Sequence, residues 1–144
     1  MASANFGRFA ANLATGGINF GTDTFKCLLV TSIPSESNLD TWNDRADVTI
    51  EHAATGGYTA GGFTVTAGAV TEDTANNRVS ISFTAANPTL SNVTLANVVG
   101  AILYKSTGVA GNDVLLSFID YGATKGVTAG NFTHTFTAPL YINR

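Results

Sequence analysis

The sequence predicts a mainly β fold, an antiparallel β-sandwich or jelly-roll-like barrel with a short N-terminal helix. Three observations carry that expectation. Segments such as Arg78-Val79-Ser80-Ile81-Ser82-Phe83 and Phe132-Thr133-His134-Thr135-Phe136-Thr137 alternate apolar with small polar side chains, the period of a half-buried strand. Further short runs of this kind are separated by clusters of Gly, Asn, Asp and Pro, the punctuation of hairpins and sheet corners. Apolar residues make up 44% of the chain, enough for a core at this length without disulfides or metals.

Taken in order, residues 1–16 read as a helix or arm. Phe6, Phe9, Ala10 and Leu13 recur at i, i+3, i+4 and i+7, which makes one apolar stripe. Ser3 is placed to cap its start and Gly16-Gly17 to end it. Gly7 weakens it by about 1 kcal/mol relative to alanine, so this helix is expected to need a surface to lie on. Asp23 to Thr31 reads as a central strand, because from Cys27 onward both faces are apolar. Ser32 to Asp47 is a polar excursion holding Pro34, Trp42 and several acids, with Leu39 to Trp42 fitting one helical turn.

Val48 to His52 resumes a strand, and Gly56 to Gly62 reads as a mobile surface loop with Tyr58 at its tip. Phe63 to Thr66 and Arg78 to Phe83 are expected as antiparallel strands, with the turn residues of a hairpin between them at Glu72 to Asn77. Pro88 breaks the ladder. Val98 to Lys105 and Val114 to Tyr121 follow, separated by the turn-rich Gly108 to Asn112. Gly122 to Gly130 reads as another turn region, Phe132 to Thr137 as the last clear strand, and Leu140 to Ile142 as an edge strand or docked tail. With no internal repeat or linker, residues 1–144 are expected to form a single β domain.

Charge sets the surface apart. Lys, Arg, Asp and Glu together make only 12% of the chain, about half the share usual in soluble domains. A sheet surface written in Thr, Asn and Gly has little charge to hold a free monomer apart from its neighbours, which points to a subunit docked on other protein. A net charge of −3 with scattered basic residues argues against a nucleic-acid partner, since phosphate binding needs several Lys or Arg together. The apolar runs are too short to span a bilayer, so no membrane partner is expected. Met1-Ala2-Ser3-Ala4-Asn5 lacks the features of a secretory signal, and synthesis in a cytoplasm without export is expected.

Residues for chemistry are few. Cys27 is the sole cysteine, which excludes an intrachain disulfide and reads as a buried, inert thiol. His52 and His134 show no metal-ligand spacing with Cys27. His134 is expected on the buried face of its strand, hydrogen-bonded. The run Gly56 to Gly62 lacks the Lys-Ser/Thr of a phosphate loop, and no Gly-x-Ser-x-Gly elbow is present. Glu72 to Asn77 lacks the spaced ligands of a calcium loop. Asp40, Asp44 and Asp47 near Arg45 read as a solvated loop with local ion pairs. The expectation is a non-enzymatic protein with no cofactor and no metal.

The order of these pieces carries a resemblance. Gly16-Gly17-Ile18-Asn19-Phe20 is followed by Asp23-Thr24-Phe25-Lys26 leading into Leu28-Leu29-Val30-Thr31-Ser32. Then come Gly57-Tyr58-Thr59-Ala60-Gly61-Gly62, Ala101-Ile102-Leu103-Tyr104-Lys105, Phe118-Ile119-Asp120-Tyr121-Gly122 and Gly130-Asn131-Phe132-Thr133. Over nearly its whole length the chain resembles small virion structural proteins of tailed bacteriophages, most of all capsid decoration (cement) proteins. The resemblance implies a β-sandwich or jelly-roll subunit on the capsid surface of the virion. It further implies the major capsid protein as partner, a homotrimer as the unit, and no catalytic residues.

Interface cores are depleted in charge and enriched in aromatics. The terminal and loop residues Phe6, Phe9, Leu13, Trp42, Tyr58 and Tyr141 are therefore the expected contacts, as opposed to core. Two alternatives stay open. One is a tail, neck or head-fibre component of the same particle. The other is a carbohydrate-binding β-sandwich module, for which Tyr58 or Trp42 would be the aromatic platform.

Overall fold

The structure is a computed structural model describing residues 3–83, 88–136 and 138–143. In chain order the elements are β1 (Ala4–Asn5), α1 (Phe9–Ala14), β2 (Thr24–Val30), α2 (Glu36–Thr41), β3 (Phe63–Val65), β4 (Val70–Asp73), β5 (Arg78–Ile81), β6 (Thr89–Ser106), β7 (Leu115–Thr133) and β8 (Leu140–Asn143). They form two antiparallel sheets, one in the order β1-β7-β6-β2-β3 and one in the order β4-β5-β8. The fold is an antiparallel β-sandwich.

The core between the sheets takes Phe25, Cys27 and Leu29 from β2, Leu103 from β6 and Leu116 from β7. Ile81 of β5 and Leu140 of β8 meet them from the smaller sheet, with Phe9, Tyr58 and Phe83 filling the ends. A second cluster covers the opposite face of the larger sheet. There Leu28, Val30, Ile102, Tyr104, Leu115 and Phe118 pack beneath Phe6, Leu39 and Trp42. This two-sided burial explains the uninterrupted apolar runs: Cys27 to Val30 pairs with Leu103 to Gly100, and all eight residues are buried.

A bulge adjusts the register where β6 meets β7. Leu103 pairs with Ser117 but Tyr104 with Leu115, so Leu116 is the extra residue. Leu116 reaches the sandwich core, while Leu115 and Phe118 serve the second cluster.

Local chemistry sets the short elements. Ser35 and Asn38 cap α2 reciprocally: Ser35 Oγ accepts from Asn38 N–H at 3.1 Å, and Asn38 Oδ1 accepts from Ser35 N–H at 2.9 Å. Asp73 caps the turn Thr74–Asn76, and Asn77 takes the left-handed conformation that returns the chain into β5. The turn lies where expected, but the strand it joins to β5 is β4, while Phe63–Val65 pairs with β2 in the other sheet. Gly16, at φ +76°, closes the turn after α1.

Several sequence expectations are corrected. The N-terminal helix spans only Phe9–Ala14, and Ser3 does not cap it. Ser3 Oγ accepts instead from the Asp120 N–H at 3.0 Å, because residues 4 and 5 pair with β7 as a strand. Val48 to His52 makes a single bridge, Val30 to Glu51, in place of a strand. Gly122 to Gly130 is no turn: it continues β7, held by the ladder to β6. The last strand stops at Thr133; Thr137 lies outside the described residues. Arg45 pairs not with its neighbouring acids but with Asp113, Nε to Oδ2 at 2.8 Å.

Two outcomes are expected from this packing. Deleting residues 1–16 removes the buried Phe6 and Phe9, each worth about 3 kcal/mol or more; circular dichroism of the truncated chain is expected to show lost cooperative unfolding. Gly62 sits at φ +78°, where an added Cβ would lie 1.8 Å from the Cys27 carbonyl oxygen. Gly62→Ala is expected to destabilise by about 2–4 kcal/mol in urea melts, from strain plus displaced β2 backbone.

Candidate assembly surface

Beyond Gly100 the larger sheet narrows to a two-stranded ribbon of β6 and β7, in which Thr89 pairs with Thr133, Leu90 with Phe132, Leu95 with Val127 and Val98 with Lys125. The inward side chains Val93, Leu95, Val98 and Phe132 are buried in the sandwich core. The outward face presents Thr89, Ser91, Asn92, Thr94, Ala96 and Asn97 from β6, and Thr128, Asn131 and Thr133 from β7, all exposed. Lys125 is the one charged residue in either strand of the ribbon. Hydroxyls pair across it, Thr89 Oγ1 to Thr133 Oγ1 at 2.9 Å.

Elsewhere some of the charges are paired, while Arg8, Glu36, Asp40 and Glu72 are exposed. Arg78 meets Asp73 at 2.8 Å and lies 3.7 Å from the Tyr141 ring centre, Lys105 meets Asp23 at 3.0 Å, and Arg45 meets Asp113. Burial pushes the Asp113 carboxyl up, but bonds from the Thr107 N–H, the Arg45 guanidinium and the Thr107 hydroxyl outweigh it and hold the group below its ordinary range.

The two edges of the ribbon differ. On the β6 side the segment 52–57 lies along the strand: Ala96 N–H donates to His52 Nε2 at 3.2 Å, and Gly57 N–H to the Asn92 carbonyl at 3.3 Å. On the β7 side, β1 pairs only through Ala4 to Phe118 and Asn5 to Ser117, and no described strand pairs further along. Register shifts and left-handed residues, Asn92, Asn97, Gly122 and Ala129, interrupt the ladder. Such bulges twist an edge away from strand addition. The outward face is thus the better contact candidate than the edge.

The six expected contact residues divide. Phe6, Phe9 and Tyr58 are 1–2% exposed and belong to the cores, which corrects their assignment as contacts. Tyr58 is held there by its hydroxyl, which accepts from Leu29 N–H at 2.9 Å and donates to Glu51 Oε1 at 2.9 Å. A fully buried Tyr58 offers no platform to a sugar ring. Leu13, Trp42 and Tyr141 are half-buried: Leu13 packs on the sandwich core, Trp42 stacks on Phe6 at 6.5 Å and Tyr141 lies under Arg78. Sequence reasoning missed the ribbon. Its signal was the uncharged stretch from Thr89 to Val99, in which the small Thr94 and Ala96 alternate with the larger apolar Val93 and Leu95.

Other chemistry is sparse. Cys27 is fully buried, and desolvation pushes its thiol far above the usual range. His134 is 1% exposed, its Nδ1 2.6 Å from the Tyr121 hydroxyl and its ring edge-on to Phe136 at 4.4 Å. Its Nε2 has no hydrogen-bond partner among the described residues. Among the described residues no three His, Cys, Asp or Glu side chains gather as a metal site, and no helix is long and apolar enough to cross a membrane. Compared with protein-family models, curated proteins and solved structures, the chain has no match.

Burial lowers His134 from 6.5 to about 4. The unfolded chain therefore binds a proton in that window and the folded one does not. Stability is complete above pH 6.5 and declines as the pH falls toward 4. Urea melts at about pH 7 and about pH 4.5 are expected to differ by roughly 2 kcal/mol from this residue, a loss that His134→Gln removes.

Proposed function

We propose that this chain is a non-enzymatic structural subunit that docks on the outside of a phage capsid and stabilises the shell, as a cement protein does. The observation that carries the proposal is the outward face of the β6–β7 ribbon, an exposed sheet surface of Thr, Asn, Ser and Ala with no charge among these residues. Lys125 pairs with the inward Val98 and lies 5.7 Å from the Tyr121 ring centre. Desolvating such a face costs less than desolvating a charged one, provided that its hydroxyls and amides find hydrogen-bond partners across the contact. The half-buried Trp42 and Tyr141 add aromatic area elsewhere on the subunit. The resemblance to small phage virion proteins supplies the partner, the major capsid protein, and a closed homotrimer as the unit. A subunit that binds only the assembled lattice shifts the equilibrium toward the shell by mass action.

The test combines imaging with binding. Particles lacking this gene product are expected to lose density from the head surface and to release their contents at lower temperature. Density lost from the tail or neck, with the head unchanged, places the subunit there instead. In co-sedimentation with emptied shells, Thr128→Glu with Asn131→Glu is expected to weaken binding by about tenfold or more. The melting temperature of the free subunit should move by only a few degrees or less, since both side chains are exposed. Undiminished shell binding by that double variant removes the ribbon from the interface.

A further inference from the structure

His52 is held in one protonation state by two bonds on opposite sides of its ring. The Ala96 amide is a donor, so Nε2 must present a lone pair to it, at 3.2 Å. The Ala53 carbonyl is an acceptor, so Nδ1 must carry the hydrogen, at 2.7 Å. Only the neutral Nδ1–H tautomer satisfies both. A second proton would sit on Nε2, facing the Ala96 N–H, and neither group can then accept the other's hydrogen.

The ring stands at a junction of the fold. Ala96 lies on β6 past the end of β2, where the strand edge is met by the segment 52–57. Behind the ring, the His52 N–H donates to the Leu29 carbonyl at 2.8 Å, and the Tyr58 ring stands edge-on at 6.1 Å. The titratable groups beside it are Glu51 on its own segment and Tyr58 on the following turn. Glu51 Oε1 is engaged by the Tyr58 hydroxyl and by the Gly61 N–H. From β6 the ring meets the Ala96 amide, and from β2 the Leu29 carbonyl is taken by the His52 backbone N–H.

We propose that His52 is an acid-sensitive latch that closes the segment 52–57 onto the edge of β6 and opens when its ring takes a second proton. Opening is local. Tyr58 stays anchored in the core through Leu29 and Glu51, and the exposed Ala53 and Ala54 supply the slack. What opens is the edge of β6 at Ala96, whose amide loses its acceptor and becomes free to pair with another backbone. The latch is a property of the chain alone and is independent of the assembly proposal.

Nuclear magnetic resonance on the isolated chain tests it in two ways. At neutral pH the ring nitrogen shifts of His52 are expected to report the Nδ1–H tautomer; the Nε2–H tautomer overturns the proposal. Between about pH 7.5 and pH 5, where imidazole is the side chain that changes charge, exchange protection of the Ala96 amide is then measured. It is expected to fall by roughly tenfold relative to its intrinsic rate. In His52→Gln, whose amide oxygen accepts at every pH, that protection should stay constant. Protection that falls equally in both proteins, or in neither, also overturns it.

Discussion

The antiparallel ladder between β2 and β6 is the constraint on which the rest of the molecule is built. Both strands are buried on both faces from Cys27 to Val30 and from Gly100 to Tyr104. Backbone groups in that position have no water to turn to, so each must find its partner in the neighbouring strand. The ladder thereby fixes which side chains face which layer. Odd positions 25, 27 and 29 serve the sandwich core, while 28 and 30 serve the second cluster. A one-residue slip would exchange the two sets and set side chains of the wrong shape against both layers at once. The covering layers, α2 with Phe6 on one side and the small sheet on the other, are docked against this fixed pattern.

Loops join the core through a few buried polar groups. Tyr104 reaches the Gly61 carbonyl at 2.5 Å, Tyr58 joins Leu29 to Glu51, and Asp113 gathers Arg45 and Thr107. The two tyrosines tie loops to strands distant in sequence, Asp113 joins the turn after β6 to the segment at Arg45, and each buried polar atom concerned has its partner. The same groups engage Glu51, Arg45 and Asp113. A surface of hydroxyls and amides remains, and the proposed docking role draws on it.

Much of the fold was legible in the pattern of residues. A two-sided apolar run marked β2 as central, Val98 to Lys105 read as a strand, and the Asp and Asn cluster marked the turn between β4 and β5. The continuation of β7 through Gly122 to Gly130 was not legible, because three glycines and two alanines in nine residues break the alternation that marks a strand. Only pairing with β6 makes that segment extended. The candidate site was harder still. Tyr58 sits among glycines that read as a mobile loop, and its burial depends on a hydroxyl meeting Leu29 N–H, 29 residues away. Phe6 and Phe9 read as an amphipathic stripe, which shows that a face is covered without showing what covers it.

The sequence by itself determined the fold class, the central strands, the scarcity of charge and the absence of a disulfide, because these follow from local periodicity and composition. Tertiary structure alone decided which aromatics are core, where the uncharged ribbon stands, and which nitrogen of His52 carries its hydrogen. Those outcomes depend on contacts between residues far apart in the chain. No local pattern encodes them, since the free energy that selects them comes from burial and hydrogen bonding completed only when the sheets close.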